Sequence, residues 1–358
     1  FLPRGTKAGY ILFLSMVCPF IMLLTFRVHP YLACAGGIAF ALSTYNLILI
    51  DVGHITKIWA ISYAALILGG MRLTFSGKRL LGFALTALGM TLEMRAFHPQ
   101  ITYYLAFVCF AYVISEAVLA FKNKDLKPTL INGGILILAV VLGIGVSAGK
   151  LMTTLEYAPY STRGDSELTP IDASRGQGEQ GLDKDYAFSW SQGKMETLTL
   201  LIPNLYGSSS SEALDSKSDA YQLLKRASRT GQIPAESFNF ATQNASLYWG
   251  DQPFTSGPIY AGATLCFLFV LGMFLIEKRT KNWLLAGVLI TIFIAWGHNM
   301  AFFNYFMFDY FPGFNKFRTV SMALSITVLL MTLGGILAIQ EALRHTLDKE
   351  FLKKALIS

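Results

Sequence analysis

The sequence predicts an all-α polytopic membrane protein with about nine transmembrane helices and one large inserted domain of mixed structure. Of its 358 residues, 53% are hydrophobic and only 14% are charged. The mean hydropathy is +0.48, a value that water-soluble domains of this size do not show. Apolar runs of about 17 to 22 residues recur along the chain, and each is long enough to cross the ~30 Å hydrocarbon core as a helix.

These runs fall into two membrane blocks, about six in residues 1–149 and about three in residues 258–340. The second run is rich in alanine and glycine, which predicts a close-packed or broken helix. Glu93 and Arg95 shorten the fourth run. In chain order, the predicted spans lie near 9–26, 31–50, 58–75, 80–97, 101–121, 129–149, 258–276, 283–300 and 319–340.

The polar segment 150–257 separates the two blocks and is predicted to form a small domain. Its aromatic residues are numerous enough to pack a core, which argues against disorder. Within it, residues 195–201 are apolar and fit either a strand or a helix, whereas residues 219–227 have helical spacing.

The distribution of charge predicts the orientation in the membrane. A net charge of +7 would suggest nucleic acid in a soluble protein, but no nucleic-acid motif is present, and the lipid bilayer is the predicted partner. Basic loops mark the cytoplasmic side, whereas segment 150–257, with nine basic and thirteen acidic residues, is predicted to be extracytoplasmic. The basic loops contain Arg27; Lys78 and Arg79; Lys122, Lys124 and Lys127; Lys278, Arg279 and Lys281; and, in the predicted cytoplasmic tail 341–358, Arg344, Lys349, Lys353 and Lys354.

In this orientation the first helix enters the membrane from the outside. At least one further helix is therefore expected upstream, and the chain is expected to be the central portion of a longer protein with a truncated tail.

Polar side chains collect at the predicted outer ends of the helices. Such groups are costly at membrane depth, about 2.5–3.5 kcal/mol each, so their convergence suggests a polar cavity. Arginine binds phosphate bidentately, lysine as a point charge and neutral histidine as a hydrogen-bond partner, so a phosphate group fits this set. The alternative is that each residue lies at the headgroups or caps a helix. The candidate phosphate-binding residues are His54, Lys57, Arg95, His98, Lys316 and Arg318.

Several motifs near these positions resemble the YfhO-like bacterial membrane proteins, which are similar to the C-type glycosyltransferase (GT-C) superfamily. The motifs mix polar residues with proline and glycine, so hydrophobicity alone does not produce them. They are GHITK at 53–57, HPQITYY at 98–104, YSTRG at 160–164, SELT at 166–169, GLDKDY at 181–186, KMETLTLLIPN at 194–204, YWGDQP at 248–253 and NKFR at 315–318.

The resemblance implies a GT-C-like enzyme of the bacterial cytoplasmic membrane. It would transfer a sugar from a polyprenyl-phosphate carrier to a cell-surface glycan, polymer or lipid outside the membrane. The resemblance also implies that an acidic residue in the first outer loop deprotonates the acceptor, and that loop would precede Phe1. Within this chain, the weaker candidates for the base are Asp51, His54, Glu167 and Asp251.

The alternative function is a non-enzymatic lipid or polymer transporter, or a membrane assembly scaffold. A polar path through the helices would favour transport, and an outer cavity closed toward the cytoplasm would favour the transferase. No zinc-ligand spacing or cofactor motif is evident, and a requirement for a divalent metal stays open, as do the sugar, the acceptor and the oligomeric state.

The orientation can be tested with single cysteines in a background without the four native ones. We expect Ser209→Cys to react with a membrane-impermeant thiol reagent in intact cells and Lys281→Cys to react only after the cells are opened. Labelling of Lys281→Cys alone in intact cells would reverse the assignment.

Overall fold

The computed structural model describes residues 8–161 and 182–345, and every regular element in these ranges is a helix. Two isolated antiparallel bridges, Gly207 with Tyr248 and Glu212 with Ala245, are the only β-type pairings there. The helices are α1 Ala8–Thr25, α2 Pro30–Ala41, α3 Thr44–Asp51, α4 Ile55–Phe75, α5 Arg79–Ala96, α6 Pro99–Lys122, α7 Lys127–Gly145, α8 Ala148–Tyr157, α9 Lys184–Phe188, α10 Asp219–Arg229, α11 Ala235–Gln243, α12 Ala263–Leu275, α13 Lys278–Ala295, α14 Ala301–Tyr310 and α15 Leu324–His345.

Within the described residues, five helical segments are long and apolar enough to cross a membrane: α1, α4, α6, α7 and the segment Val320–Arg344, which includes nearly all of α15. Two bent pairs, α2 with α3 and α13 with α14, bring the number to seven if each pair is one span. The described part of the protein is thus an all-helical membrane structure with five to seven candidate spans. The two further predicted spans correspond to α5, which includes three charged residues, and to α12, which has 13 residues.

Both bent pairs are stabilised at the break by a buried asparagine. The axes bend by 49° between α2 and α3, where the Asn46 amide donates to the Phe40 carbonyl at 2.8 Å. They bend by 118° between α13 and α14, where the Asn304 amide donates to the carbonyls of Phe293 and Gly297 at 2.7 and 3.0 Å. Carbonyls that lose their helical partners away from water need such donors, so the asparagines permit the breaks. The break predicted for the second span is therefore present.

Helix α15 lies at the centre of the bundle. In its most apolar stretch 94% of the residues are buried, and it packs against α2, α4, α6, α12 and α13. Small residues allow the close approach: a Cβ on Gly272 of α12 would lie 2.9 Å from the Gly334 carbonyl oxygen of α15. This is the packing expected where lipid supplies no hydrophobic drive for helices to associate.

Helices α4 and α5 form an antiparallel pair through two matched G-x-x-x-T sequences. Gly70 and Thr74 of α4 lie against Thr86 and Gly82 of α5. A Cβ on Gly82 would lie 2.5 Å from the Thr74 backbone nitrogen, and one on Gly70 would lie 2.6 Å from that of Thr86. Any side chain at either glycine would force the two backbones apart.

The described part of the predicted inserted domain begins against the membrane helices. The amide of Gln192 donates to the Ala295 carbonyl at 2.8 Å, and the amide of Leu182 donates to the Asn315 carbonyl at 2.9 Å. Phe188 and Leu200 belong to the common hydrophobic core. Residues 182–201 therefore form the end of the bundle. Residues 206–250 are more exposed and contain α10, which confirms the helix predicted at 219–227. The segment that fitted either a strand or a helix is the 3-10 helix Met195–Leu200.

The predicted cytoplasmic basic residues gather at the opposite end of the bundle. The Arg279 guanidinium binds the Glu116 carboxylate at 2.6 Å and reaches the Phe75 carbonyl at 3.4 Å. Arg27 and Arg344 line one cavity at this end. The helix starts that contain the candidate phosphate-binding residues lie at the other end, so the fold separates the two predicted sets.

The α4–α5 contact predicts the effect of added volume on stability. We expect Gly82→Ala to lower the unfolding free energy by about 1–3 kcal/mol, the usual cost of overpacking, because the new methyl group meets backbone rather than a flexible side chain. Gly134→Ala on α7 is the control, since no atom lies within 4 Å of its added Cβ. Thermal unfolding in detergent measures both. Equal midpoints for the two variants would contradict the close contact.

Candidate functional site

A cavity of about 470 Å³ opens at the end of the bundle where the described part of segment 150–257 lies. Its walls come from α3, from the starts of α4 and α6, and from the turn before α15. Two stretches of the segment, near 190–199 and 248–259, complete them. The polar side chains that line it are those of His54, Thr56, Lys57, His98, Gln100, Gln192, Glu196, Thr199, Tyr248, Gln252, Arg318 and Ser321, among others.

Four of the six candidate phosphate-binding residues share this cavity. His54 precedes α4, Lys57 lies in its first turn, and His98 precedes α6. Arg318 belongs to the turn before α15 and is also in the lining. The chain positions of these residues span more than 260 residues, and the common start of three helices brings them together. Their role in binding phosphate stays a prediction.

The other two candidates lie outside the cavity lining. Arg95 is exposed in the last turn of α5. Lys316 is half-buried in the 3-10 helix Phe314–Lys316, two residues before Arg318. Neither residue was distinguishable by sequence from the other four, because all six are predicted at the same membrane boundary.

The side chain of Arg318 is held between two aromatic rings. Its guanidinium carbon lies 5.2 Å from the Tyr186 ring centroid and 5.5 Å from that of Trp190, and it donates a hydrogen bond to the Tyr186 hydroxyl. Arginine stacks well on such rings because its planar charge is weakly hydrated. The side chain is nonetheless exposed, so its charge is available to a ligand.

The backbone around Arg318 is strained. Thr319 has a φ of 60°, a left-handed conformation that is costly for a β-branched residue, about 1–3 kcal/mol. Hydrogen bonds on both sides hold it: the Gln100 amide donates to the Arg318 carbonyl at 2.5 Å, and the Thr319 amide donates to the Ala187 carbonyl at 3.2 Å. Strain that is held in this way is typical of a functional site, where it fixes the direction of a side chain.

The electrostatics of the cavity favour an anion. The positive charges of Lys57 and Arg318 oppose each other, and among the described residues neither forms an ion pair with a carboxylate. Partial burial and the charge of Lys57 both lower the pKa of the His54 imidazole, so this ring is neutral at pH 7. An incoming anion would relieve the repulsion between the two cations.

The four candidate bases occupy different places. His54 lines the cavity, whereas Asp51 lines an adjoining cavity of about 810 Å³ that shares Phe254 and neighbouring residues with the first. Asp251 is exposed and lies 3.4 Å from the Asn299 amide. Glu167 lies outside the described residues.

Two residues in the cavity wall, Glu196 and Tyr248, were not among the residues predicted from the sequence. Glu196 is only 3% exposed, and its carboxylate accepts hydrogen bonds from the Tyr248 hydroxyl at 2.7 Å and from the Gly193 amide at 2.9 Å. Both residues lie in motifs that carried the family resemblance, at 194–204 and 248–253. Their position in these motifs was the available signal in the sequence, because neither residue lies at the end of a predicted membrane helix.

In the part of the chain that the structure describes, no group of three or more histidine, cysteine, aspartate or glutamate side chains is arranged to hold a metal ion. The side chains that line the described cavity include a lysine, an arginine, two imidazoles, one carboxylate and several amides and hydroxyls.

Comparison of the sequence and of the fold with known proteins found no matching family model, curated protein or solved structure. The resemblance to the YfhO-like proteins accordingly stays a prediction, and the site must be interpreted from its own geometry.

Proposed function

We propose that the protein is a membrane glycosyltransferase of the GT-C type. It takes a sugar from a polyprenyl-phosphate carrier and transfers it to a cell-surface polymer, glycan or lipid. The single observation that carries this proposal is the convergence of Lys57, Arg318, His54 and His98 on one cavity at the end of a membrane-helix bundle. The family resemblance of the surrounding motifs points to the same reaction.

The carrier's phosphate would bind to the cationic side chains of Lys57 and Arg318. Both are unpaired with carboxylates in the described structure, so a phosphate would replace no existing ion pair. Arg318 offers a planar pair of donors held by aromatic rings, and Lys57 offers a point charge. In the transfer step, the sugar leaves this phosphate, and fixed positive charges stabilise the negative charge that develops there.

The surroundings of the cavity favour a transferase over a transporter. Below Lys57 and Gln100, the buried positions of α4 and α6 are mainly apolar, including Ile58, Ile61 and Leu105 at 0 to 1% exposure. The buried start of α15 adds Leu324, Ile326 and Val328 to this core. Its two buried hydroxyls are already hydrogen-bonded, that of Ser325 to the Met322 carbonyl and that of Thr327 to the Thr291 hydroxyl. A transported lipid headgroup would need a polar path through this region. A transferase needs only a site that is open at one end.

Two finer features of the proposal concern its place in the cell. We infer that α5 and α12 complete a set of nine membrane-spanning helices. The segment 150–257 then lies outside the bacterial cytoplasmic membrane, because the basic residues at the opposite end of the bundle mark the cytoplasmic side.

Phosphate binding predicts the effect of removing either cation. We expect Lys57→Ala and Arg318→Ala each to weaken the binding of polyprenyl phosphate by about ten- to a hundredfold, the usual cost of losing a charge-assisted hydrogen bond. Titration of the purified protein in nanodiscs, followed by intrinsic fluorescence, measures the dissociation constant.

Matched controls exist in the same segment of the chain. Lys217 and Arg229 are exposed and lie outside the cavity lining, so Lys217→Ala and Arg229→Ala should bind the lipid as the wild type does. If the dissociation constant is the same for all four variants, the cavity does not bind the lipid phosphate and the proposed function is wrong.

The lowered pKa of His54 predicts how binding depends on pH. Below that pKa the ring gains a positive charge beside Lys57, so a sugar-linked phosphodiester, which keeps one negative charge between pH 5 and 8, should bind more tightly as the pH falls. We expect an effect of about two- to fivefold at low salt, because the site is open to solvent. His54→Gln should flatten this dependence, and His29→Gln at the opposite end of the bundle should not. An unchanged pH profile in His54→Gln would place His54 outside the binding site.

A further inference from the structure

The Glu196 carboxylate occupies an unusual position in the cavity wall. It is almost fully buried, yet it is part of the lining, and among the described residues it is the only carboxylate that lines this cavity. Gly193 and Gly250 approach it so closely that a Cβ on either would lie 3.3 or 2.7 Å from one of its oxygens. The two glycines leave the carboxylate uncovered by side chains at these positions.

The hydrogen bonds of this carboxylate leave capacity for a ligand. Its oxygens accept hydrogen bonds from the Tyr248 hydroxyl and the Gly193 amide, and the Gln252 side chain also interacts with the carboxylate. An ionised carboxylate has about four acceptor sites, so about one remains free. A ligand hydroxyl in the cavity is a donor that fits it.

The orientation of Tyr248 is fixed from the other side. The backbone amide of Gln252 donates to the Tyr248 hydroxyl at 3.0 Å, so that hydroxyl is oriented to donate its own hydrogen to Glu196. The Gln252 side chain in turn donates to the Gln192 side chain at 3.0 Å. The carboxylate is thus held by a connected network, and small rotations of it would break several hydrogen bonds.

We propose that Glu196 is the base that accepts the proton of the acceptor hydroxyl in sugar transfer. The inference rests on the proposed function and names the residue that completes it. The acceptor oxygen forms a bond to the anomeric carbon, and the bond from that carbon to the carrier phosphate oxygen breaks. The electron pair of that bond leaves with the phosphate, beside Lys57 and Arg318. The hydroxyl proton passes to Glu196 and then to solvent.

The environment of Glu196 suits this task. Burial is the largest influence and raises the pKa of the carboxyl, and the negative charge of Asp251 acts in the same direction. The hydrogen bonds from Tyr248, Gly193 and Gln252 lower it in part. The net effect raises the pKa of Glu196 above its ordinary value, which makes the carboxylate a stronger base than one in water. Other charged groups of the cavity are Lys57 and Arg318.

The test uses the full-length protein in membrane vesicles from a strain that lacks the gene and expresses each variant. The probe is polyprenyl-phosphate-linked glucose with a radiolabelled sugar, and the native membrane supplies the acceptors. We measure label transferred to material that remains after lipid extraction, together with the dissociation constant of the probe for each purified variant. Glu196→Gln should reduce turnover by at least about a hundredfold and change probe binding by less than about threefold.

Two further variants separate a catalytic role from a structural one. Glu236→Gln alters an exposed glutamate of α11 and should leave turnover unchanged. Turnover should fall as the pH drops through the pKa of Glu196, because the base must be ionised. Tyr248→Phe removes a hydrogen bond that stabilises the ionised form, so it should move this acidic limb to higher pH while the probe still binds.

The outcomes are distinct. If the wild type is active and Glu196→Gln keeps its turnover to within twofold, the assignment of Glu196 as the base is overturned and another carboxylate must accept the proton. An equal loss of binding and turnover in Glu196→Gln would also overturn it, as would an unshifted acidic limb in Tyr248→Phe. A wild-type protein that binds the probe but never transfers its sugar would instead overturn the proposed function.

Discussion

The enclosure of α15 by its neighbours is the constraint on which the rest of the structure depends. A helix that contacts protein on all sides can do so only where the surrounding backbones come close, and glycines on α12, α13 and α15 provide the room. Gly287 of α13, for example, leaves space in which an added Cβ would lie 2.9 Å from Leu330 of α15. Because lipid does not drive apolar helices together, this shape fit holds the bundle and fixes where α15 begins.

The position of that beginning creates the cavity. Residues 318–322 lead into α15 and lie beside the starts of α4 and α6. The described segment that begins at residue 182 covers these residues. Two close contacts hold the segment in this position. Gly297 has a φ of 46°, and its backbone contacts the Ser191 side chain. The Ser321 amide donates to the Trp190 carbonyl at 3.3 Å. A side chain at position 297 would displace the segment that carries Gln192 and Glu196. The wall of the cavity therefore depends on the break between α13 and α14.

The charges in the cavity follow from the same arrangement. Lys57 and Arg318 are brought together by packing rather than by attraction, and their repulsion is tolerated because the cavity is open and Arg318 is stacked on aromatic rings. Glu196 is in a different environment: it is buried, and hydrogen bonds from Tyr248 and Gly193 fix its carboxylate. A site with a half-buried lysine, an exposed arginine and one buried carboxylate offers two separable functions, the binding of an anion and the acceptance of a proton. These are the two tasks of transfer from a lipid phosphate.

The sequence by itself predicted that the helices lie in a lipid bilayer and that basic residues collect at one end of the bundle. Both depend on composition and on the length of apolar runs, which act locally: a run such as 101–121 is apolar enough to cross a membrane in any arrangement. It also placed His54, Lys57, His98 and Arg318 in one candidate set, because all four lie at helix starts on the same side. It could not separate them from Arg95 and Lys316, since a helix end has several faces and only packing decides which face meets the cavity. The break at Asn304, the strain at Thr319 and the position of Glu196 were decided by tertiary structure, whereas the break in the second span was predicted from its alanines and glycines. The three features depend on hydrogen bonds between residues whose pairing the sequence pattern did not specify.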